Sequence, residues 1–362
     1  MLGGNKVARP EFKGIVWRNV YHMLCYSVKY ISDLNLDDSD YENIKGVADL
    51  LGKILIEAHK YSLSYSKLTE YKPKTSLSTN PKGRLDIYKS TSTGKDLQGK
   101  LYHTHYTLDI DTIPNRIIKK AYEILLEAGR DRDSFSEETR TSISYYLNLL
   151  RGVGELSRDD IVNIYNNNIG LDTLQNWHKP VIAISQLIIR NSLLLDSYGK
   201  IFTFVFDNYK QLNLIFEEFV RSYISEAFAG TNLRVSRPVY KVSGGSSLHL
   251  DILCQLDQRF LVIDTKWYEH EPEGNANSNE VYRYAGAVER NNTSVNGEHR
   301  DISINALILY AKTFSWPIRH PCTNERLRDI ELLIYERQLD LNKSFEEIQS
   351  DIVELVNETM PK

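Results

Sequence analysis

The stretch "RFLVIDTKWY", residues 259–268, decides how the C-terminal part of this chain is interpreted. Its run of four apolar residues, followed by two aromatic ones, is typical of a buried β-strand. Asp264 and Lys266 lie at the end of that run. Because side chains alternate between the two faces of a strand, these two charged groups share one face. An apolar strand that ends in an acid and a base on one face is a candidate site for chemistry.

A second apolar segment, "LHLDILCQL" (248–256), precedes this strand and carries another acid, Asp251. Asp257 and Gln258 separate the two segments and predict a two-residue turn, although Asp-Gly would be a stronger turn signal. With only those two residues in the turn, the register places Asp251 opposite Asp264. The hairpin therefore predicts two carboxylates and one ammonium group on the same patch of sheet.

Two opposed carboxylates repel each other, so one of them holds a proton unless a cation binds between them. Mg²⁺ prefers oxygen ligands, often one or two carboxylates with waters, and the backbone carbonyl of Thr265 offers another oxygen. A metal ion polarises a phosphodiester, while Lys266 can orient or deprotonate the attacking water or stabilise developing charge. The pattern predicts Mg²⁺-dependent hydrolysis of a nucleic-acid backbone. A solvated Asp264–Lys266 ion pair is the alternative, which the second acid and the apolar setting disfavour.

Other residues near the hairpin are candidates for secondary roles. Glu217 lies on a helix predicted before the strands, and its carboxylate either reaches the metal or is an exposed acid of an amphipathic helix. Tyr282 and Arg283 lie on a helix predicted after the strands. They either contact DNA phosphate or serve as a packed tyrosine and a surface arginine. His249 falls on the predicted face of Asp251 and is a further candidate to line the site.

Composition limits what the chain can do. The 362 residues carry a net charge of −4, which disfavours autonomous nucleic-acid binding through bulk charge. The three cysteines are widely separated and match neither a disulfide framework nor a metal motif. The sequence lacks GxxxxGK[ST], which excludes a P-loop NTPase. It also lacks an 18-residue apolar run and a signal-peptide core, so we expect a cytoplasmic protein with no membrane partner.

Apolar periodicity predicts two domains. Residues 1–200 form a mostly helical domain that is interrupted near 66–110 by a β-rich insert of short alternating segments. Residues 201–362 mix helices and strands, which predicts an α/β (α+β) fold. Within these domains, 172–194 and 323–339 are each predicted to form one helix.

Five segments, in order along the chain, resemble McrC, the nuclease subunit of McrBC-type, 5-methylcytosine-specific restriction systems. They are "WRNVYHMLCYSVKYI" (17–31), "KGRLDIYKS" (82–90), "NRIIKKAYEIL" (115–125), "LIFEEFVRSYI" (214–224) and "LDILCQLDQRFLVIDTKWY" (250–268). The last segment is similar to a PD-(D/E)xK core, with Asp251, Asp264 and Lys266 at the catalytic positions and Leu250 in place of the motif's proline.

The resemblance implies a restriction-endonuclease-like domain at the C-terminus with Mg²⁺ as its cofactor. It also implies a McrB-like AAA+ GTPase as the partner that binds GTP, with double-stranded DNA as the substrate. Residues 1–200 would dock on that partner and stimulate its GTPase. The insert near 66–110 is the candidate docking element, unless it only covers helices.

The helix after the core departs from the family pattern. Arg283 and Ala287 stand where the family often has a glutamine and a tyrosine four positions apart, which puts the DNA contact of that pair in doubt. Three other functions remain open from the sequence. They are a purely regulatory activator of the AAA+ partner, a stand-alone repair or recombination nuclease, and a non-enzymatic helical scaffold that leaves the opposed acids unexplained.

Overall fold

The computed structural model describes residues 16–32, 34, 36, 41–129, 135–166, 171–195, 201–203, 208–241, 247–267, 276–292, 294–295, 298–299, 301–312, 322–327 and 330–362. The helices are α1 (Trp17–Ser27), α2 (Val47–Tyr65), α3 (Ile87–Ser92), α4 (Ile113–Ala128), α5 (Glu137–Leu149), α6 (Arg158–Asn166), α7 (Lys179–Ser192), α8 (Asn208–Ala227), α9 (Ala276–Asn292) and α10 (Phe345–Thr359). The strands are β1 (Glu70–Ser78), β2 (Arg84–Asp86), β3 (Leu101–Asp109), β4 (Leu193–Leu195), β5 (Ile201–Thr203), β6 (Arg234–Ser236), β7 (Val239–Lys241), β8 (Ser247–His249), β9 (Ile252–Leu256), β10 (Arg259–Lys266), β11 (Ser294–Val295), β12 (Glu298–His299), β13 (Ser303–Lys312), β14 (Cys322–Leu327) and β15 (Ile330–Asp340). The mixed α/β class predicted from the sequence is confirmed.

The chain divides into two compact units. The sheet unit combines the described residues 16–32 and 41–50 with those from 208 to 362, and the helical unit contains the described residues from 51 to 203. The predicted boundary near residue 200 lies close to one division, but the first helix does not belong to the helical unit. The reason is local: α1 packs against α8, and the Asn19 side chain donates hydrogen bonds to the carbonyls of Leu341 (2.8 Å) and Lys343 (3.0 Å).

The helical unit packs α4 against α5 and α7 and carries a three-stranded antiparallel sheet in the order β1-β3-β2. This sheet lies within the predicted β-rich insert, which also contains α3. The Asn115 side chain closes the base of the insert by donating to the carbonyls of Leu68 (2.7 Å) and Ile110 (2.8 Å). Arg116 forms two hydrogen bonds of 2.7 Å with the Asp111 carboxylate beside it. The insert is therefore fixed to the start of α4.

The sheet unit is built on a six-stranded sheet in the order β14-β15-β13-β10-β9-β6. Strands β10, β13 and β15 run parallel, and the remaining pairs are antiparallel. The central strands β10 and β13 are buried along most of their length, as expected for parallel strands covered on both faces. Helix α9 packs against β10 and β13, and α8 packs against β10. These two helices and the end of β10 frame the candidate site.

One predicted helix is wrong, and another begins later than predicted. Residues 323–339 form most of the strand pair β14–β15, because Leu332 and Ile334 are buried on one face of β15 where it pairs in parallel with β13. Residues 172–194 contain two short 3₁₀ turns before α7 begins at Lys179, and the last residues belong to β4. Pro180 at the second helical position favours that later start. Within the described residues, no helix is long and apolar enough to cross a membrane.

Candidate functional site

The β9–β10 hairpin has the register that the sequence predicts, and its last paired residues are Ile252 and Ile263. Asp257, the first turn residue, has a φ of 56°, in the left-handed region that aspartate visits more readily than most residues. Asp251 and Asp264 are the next residues beyond the last pair. The hairpin therefore delivers both acids to the same end of the two strands.

The carboxylates of Asp251 and Asp264 lie in different surroundings. Oδ2 of Asp251 accepts hydrogen bonds from the Thr265 N–H (3.0 Å) and the Thr265 hydroxyl (3.2 Å). Asp264 is 0 % exposed, and neither of its carboxylate oxygens accepts a hydrogen bond from the described residues. Its neighbour is Lys266, whose Nζ lies 3.0 Å from Asp264 Oδ1 in an ion pair. The structure thus brings together the acids, the threonine and the lysine that the sequence singles out.

Burial controls the charges at this site. Burial is the largest cause that raises the pKa of Asp264, the Lys266 ammonium opposes it and the Asp251 carboxylate adds to it, and the net pKa is about 8. For Lys266, burial by itself lowers the pKa, but the carboxylates of Asp264 and Glu280 outweigh it, so the net pKa rises. Lys266 is therefore a fixed positive charge and a hydrogen-bond donor at neutral pH. Asp264 is largely protonated at pH 7 as long as no cation binds it.

Glu217 on α8 is buried, so the alternative of an exposed surface acid is wrong. Its Oε1 lies 2.7 Å from Nη2 of Arg237 in an ion pair. Burial and, second to it, the Asp251 charge together raise the pKa of Glu217 to about 7 against the opposing charge of Arg237, so the two acids lie within electrostatic reach. Helix α8 is held against β10 because the Trp267 N–H donates to Oδ1 of Asn213 at 2.7 Å. Glu217 is thus directed toward the end of the hairpin by fixed packing.

The other predicted residues do not join this cluster through any described contact. The Tyr282 side chain packs against the apolar core, and its hydroxyl donates to the carbonyl of Arg326 at 2.9 Å. Arg283 is exposed on α9, and His249 is exposed on β8. Tyr282 is therefore the packed tyrosine of one alternative, while the exposure of Arg283 is compatible with either of its predicted roles.

One functional candidate was missed from the sequence. Glu280 on α9 accepts a hydrogen bond from Lys266 Nζ at Oε2 (3.1 Å) and one from the Tyr284 hydroxyl at Oε1 (2.8 Å). Glu280 and Tyr284 have the four-residue spacing that was assigned instead to Arg283 and Ala287. That spacing, applied one turn earlier in the helix, could have identified the pair.

The oxygen atoms at the end of the hairpin are compatible with the predicted Mg²⁺. Among the described residues, no three His, Cys, Asp or Glu side chains form a preassembled metal site. Mg²⁺ usually takes only one or two protein carboxylates and keeps several waters, so a smaller set suffices. The buried Oδ2 of Asp264, which has no hydrogen-bond partner among the described residues, fits such a ligand, because buried polar atoms are otherwise almost always satisfied. Asp251, Asp264 and the Thr265 carbonyl, with Glu217 beside them, are the groups that can hold the ion.

Comparisons with known proteins identify the family of the chain. The sequence profile described as "McrBC 5-methylcytosine restriction system component" matches residues 6–286. The Type IV methyl-directed restriction enzyme EcoKMcrBC of Escherichia coli (strain K12) is 26% identical over 266 residues, covering 70% of this chain and 73% of that protein.

A solved structure shows the same fold. It is a half-complex from the tetradecameric assembly of Thermococcus gammatolerans McrB AAA+ hexamers with bound McrC. The match has a TM-score of 0.56 at 10% identity and covers 94% of this chain and 76% of that chain. Because the family profile spans well over half of the sequence, the resemblance is confirmed, and the chain belongs to the McrBC 5-methylcytosine restriction system component family.

Proposed function

We propose that this chain is the Mg²⁺-dependent, DNA-cleaving subunit of a modification-dependent restriction complex, with a PD-(D/E)xK core in its sheet unit. The observation that carries the proposal is the end of the β9–β10 hairpin. There Asp264 is buried with no neutral donor among the described residues, Asp251 lies across the hairpin, and Lys266 Nζ is 3.0 Å from Asp264 Oδ1. Family membership supports the same assignment.

Each residue has a chemical role in this proposal. Asp251, Asp264 and the Thr265 carbonyl would hold Mg²⁺, with Glu217 as a further oxygen ligand, and the ion would polarise the phosphodiester and activate water. Lys266 stays protonated, and its positive charge and hydrogen bonds stabilise the negative charge that develops on the phosphate. The buried strand β10 holds these groups rigidly, which limits the reorganisation needed during the reaction.

The partner in this proposal is a McrB-like AAA+ ring that binds and hydrolyses GTP and selects the DNA. The chain itself has no P-loop motif, and the structure with the same fold comes from an assembly of McrB AAA+ hexamers with bound McrC. The insert sheet is the proposed docking element. The insert around that sheet exposes large apolar side chains, including Tyr71 on β1 (71%), Tyr88 on α3 (84%) and Leu97 between α3 and β3 (90%), and such exposure is typical of an interaction surface.

The test separates cleavage from activation of the partner. Asp264→Ala and Lys266→Ala should each abolish Mg²⁺- and GTP-dependent cleavage of methylated double-stranded DNA by the complex, while stimulation of the partner's GTPase stays at the wild-type level. Asp301→Ala is the control, because Asp301 is an exposed acid of the same unit. Retention of cleavage in either site variant would refute the assignment.

Two further outcomes would favour the other functions. A wild-type complex that stimulates GTP hydrolysis without cutting DNA would indicate a purely regulatory subunit. Cleavage by the isolated chain, without partner or GTP, would instead indicate a stand-alone repair or recombination nuclease.

A further inference from the structure

We propose that Glu280, held in place by Tyr284, is the residue that positions Lys266 for cleavage. This inference rests on the proposed nuclease function and adds a second partner for Lys266 that the acid pair itself does not provide. Glu280 acts through Lys266 and is therefore a positioning residue. The geometry is a continuous series of contacts from a buried tyrosine to the lysine.

The contacts define one orientation of the lysine. The Tyr284 hydroxyl donates to Oε1 of Glu280 at 2.8 Å, and Lys266 Nζ donates to Oε2 of the same carboxylate at 3.1 Å. Tyr284 is buried in the core of the sheet unit, where it packs with Val281 and Val288 of the same helix. Because the phenol cannot move freely, it fixes both oxygens of Glu280 and, through them, the end of the lysine side chain.

Lys266 needs such a partner because its side chain is long and flexible. A four-carbon stem with a compact charge has many rotamers, and ordering it requires contacts that select one of them. In the structure, Nζ lies between Asp264 (3.0 Å) and Glu280 (3.1 Å). When Asp264 serves as an ion ligand, its negative charge is shared with the ion, and its hold on Lys266 weakens. Glu280 is the partner that remains.

An ordinary surface ion pair is the simplest competing explanation. The Glu280 side chain is 41% exposed, and exposed ion pairs contribute little to stability. Two features argue against that explanation. The partner of Glu280, Lys266, has a side chain that is only 17% exposed. The second carboxylate oxygen of Glu280 accepts a hydrogen bond from Tyr284, a buried tyrosine on the next turn of α9. An ordinary surface ion pair would not include the hydrogen bond between the Tyr284 hydroxyl and Glu280.

The two explanations differ in what glutamine at position 280 would do. Glu280→Gln keeps an oxygen that can accept from Lys266 but removes the charge. Glu280→Ala removes both. A positioning role therefore predicts that glutamine restores most of the function that alanine loses, because a hydrogen-bond acceptor at the right place is what the lysine requires.

The experiment uses the complex with its AAA+ partner, GTP, Mg²⁺ and methylated double-stranded DNA. Glu280→Ala should lower kcat by about 10–100-fold with little change in KM for DNA, as is usual when a supporting contact of a catalytic group is lost. Glu280→Gln should recover kcat to within about threefold of wild type, and Tyr284→Phe should fall between the two. Glu354→Ala, an exposed acid on α10, is the matched control and should cleave normally.

A second measurement does not depend on activity. Crystal structures of the variants should show Lys266 Nζ displaced in Glu280→Ala and held at its wild-type position in Glu280→Gln. If wild type cuts DNA and Glu280→Ala cuts equally well, or if Glu280→Gln is as impaired as Glu280→Ala, the positioning role is wrong and the nuclease assignment stands. If wild type does not cut DNA at all, the proposed function fails and takes this role with it.

Discussion

The Asp264→Asn substitution should make the sheet unit more stable while it abolishes cleavage. Asparagine has nearly the shape of aspartate but no charge to bury. The carboxylate of Asp264 is fully buried with no neutral donor among the described residues, and the Lys266 ammonium does not offset the cost of its ionised form. Lys266 would not be left as an unpaired charge in the variant, because Glu280 still accepts its hydrogen bond at 3.1 Å.

The size of the effect follows from the shifted pKa. The pKa of Asp264 is about 8 in the folded chain, against an ordinary value of 3.8, and this difference sets an upper limit of about 4 kcal/mol at pH 7. The substitution also removes the attraction between Asp264 and Lys266, which lies 3.0 Å away. We therefore expect a net gain of about 1–3 kcal/mol in the free energy of unfolding, in the range seen when buried charges are replaced.

The gain should depend on pH with a definite sign. Well below pH 3.8, Asp264 is protonated in both the folded and the unfolded chain, so burial of its charge costs nothing. As the pH rises from 4 to 8, the unfolded chain ionises and the folded chain does not, and wild type loses stability. The advantage of the Asp264→Asn variant should accordingly grow from pH 5 to pH 8.

The assay is urea unfolding in the presence of EDTA, with hydrogen exchange of β10 peptides to report the sheet unit alone. Asp340→Asn is the control of opposite sign. Burial alone raises the pKa of Asp340, but hydrogen bonds from Lys312 and the Asn342 N–H outweigh it and lower the pKa overall. That variant should be less stable than wild type at pH 7. A variant Asp264→Asn that is less stable than wild type at pH 8, or whose advantage does not change between pH 5 and pH 8, would refute the reasoning.

Three further predictions concern the ion and the insert. Mg²⁺ should raise the melting temperature of wild type more at pH 8 than at pH 6, because binding displaces protons from Asp264 and Glu217. Calorimetry in two buffers should detect the released protons, and an equal rise in melting temperature at both pH values would contradict the site. Asn115→Ala should destabilise the helical unit by about 1–3 kcal/mol and reduce stimulation of the partner's GTPase, because two carbonyls at the base of the insert lose their donor. An unchanged melting temperature and unchanged GTPase stimulation would contradict the anchoring role. Gly83→Ala should destabilise the insert by about 1–3 kcal/mol in thermal unfolding, because Gly83 has a φ of +78° and a Cβ there would lie 2.4 Å from the Thr104 carbonyl oxygen. An alanine variant as stable as wild type would show that the β2–β3 pairing shifts at little cost in free energy.

The hairpin could be predicted from the sequence because local rules determine it. A two-residue turn fixes the register of an antiparallel pair, and the two-residue period of a strand then fixes which side chains share a face. From that point Asp251, Asp264 and Lys266 follow without knowledge of the rest of the fold. The turn was the weak step, since Gln258 stands where glycine would give the stronger Asp-Gly signal, and the observed φ of 56° shows that Asp257 adopts the left-handed conformation.

The strand pair β14–β15 could not be predicted in the same way. Its sequence has apolar residues at spacings that suit a helix as well as a strand, so the period does not discriminate. What decides is a distant element: β15 pairs in parallel with β13, with Leu332 opposite Ile304. Long-range pairing overrides local pattern here, and a single sequence gives no information about it.

The contact between Glu280 and Lys266 was missed for a related reason. The two residues are separated by 14 positions, and nothing in the intervening sequence indicates how α9 returns to the end of β10. In the family pattern, Arg283 stands at the position of the glutamine. Glutamate at position 280 offers the same kind of acceptor oxygen, so chemical equivalence was a better guide than residue identity.

Asp264 links the stability of the fold to its proposed chemistry. A carboxylate at the end of an apolar strand destabilises the folded chain whenever it is ionised, and an asparagine would avoid that cost. The charged residue is useful only if something positive binds there, and Lys266 alone does not satisfy it, since the pKa of Asp264 remains raised to about 8. A divalent cation would supply the missing charge and make the ionised form favourable. The unfavourable burial of the Asp264 charge therefore supports ion binding more strongly than the sequence motif of Asp251, Asp264 and Lys266 does, because folds tolerate destabilising groups mainly at functional sites.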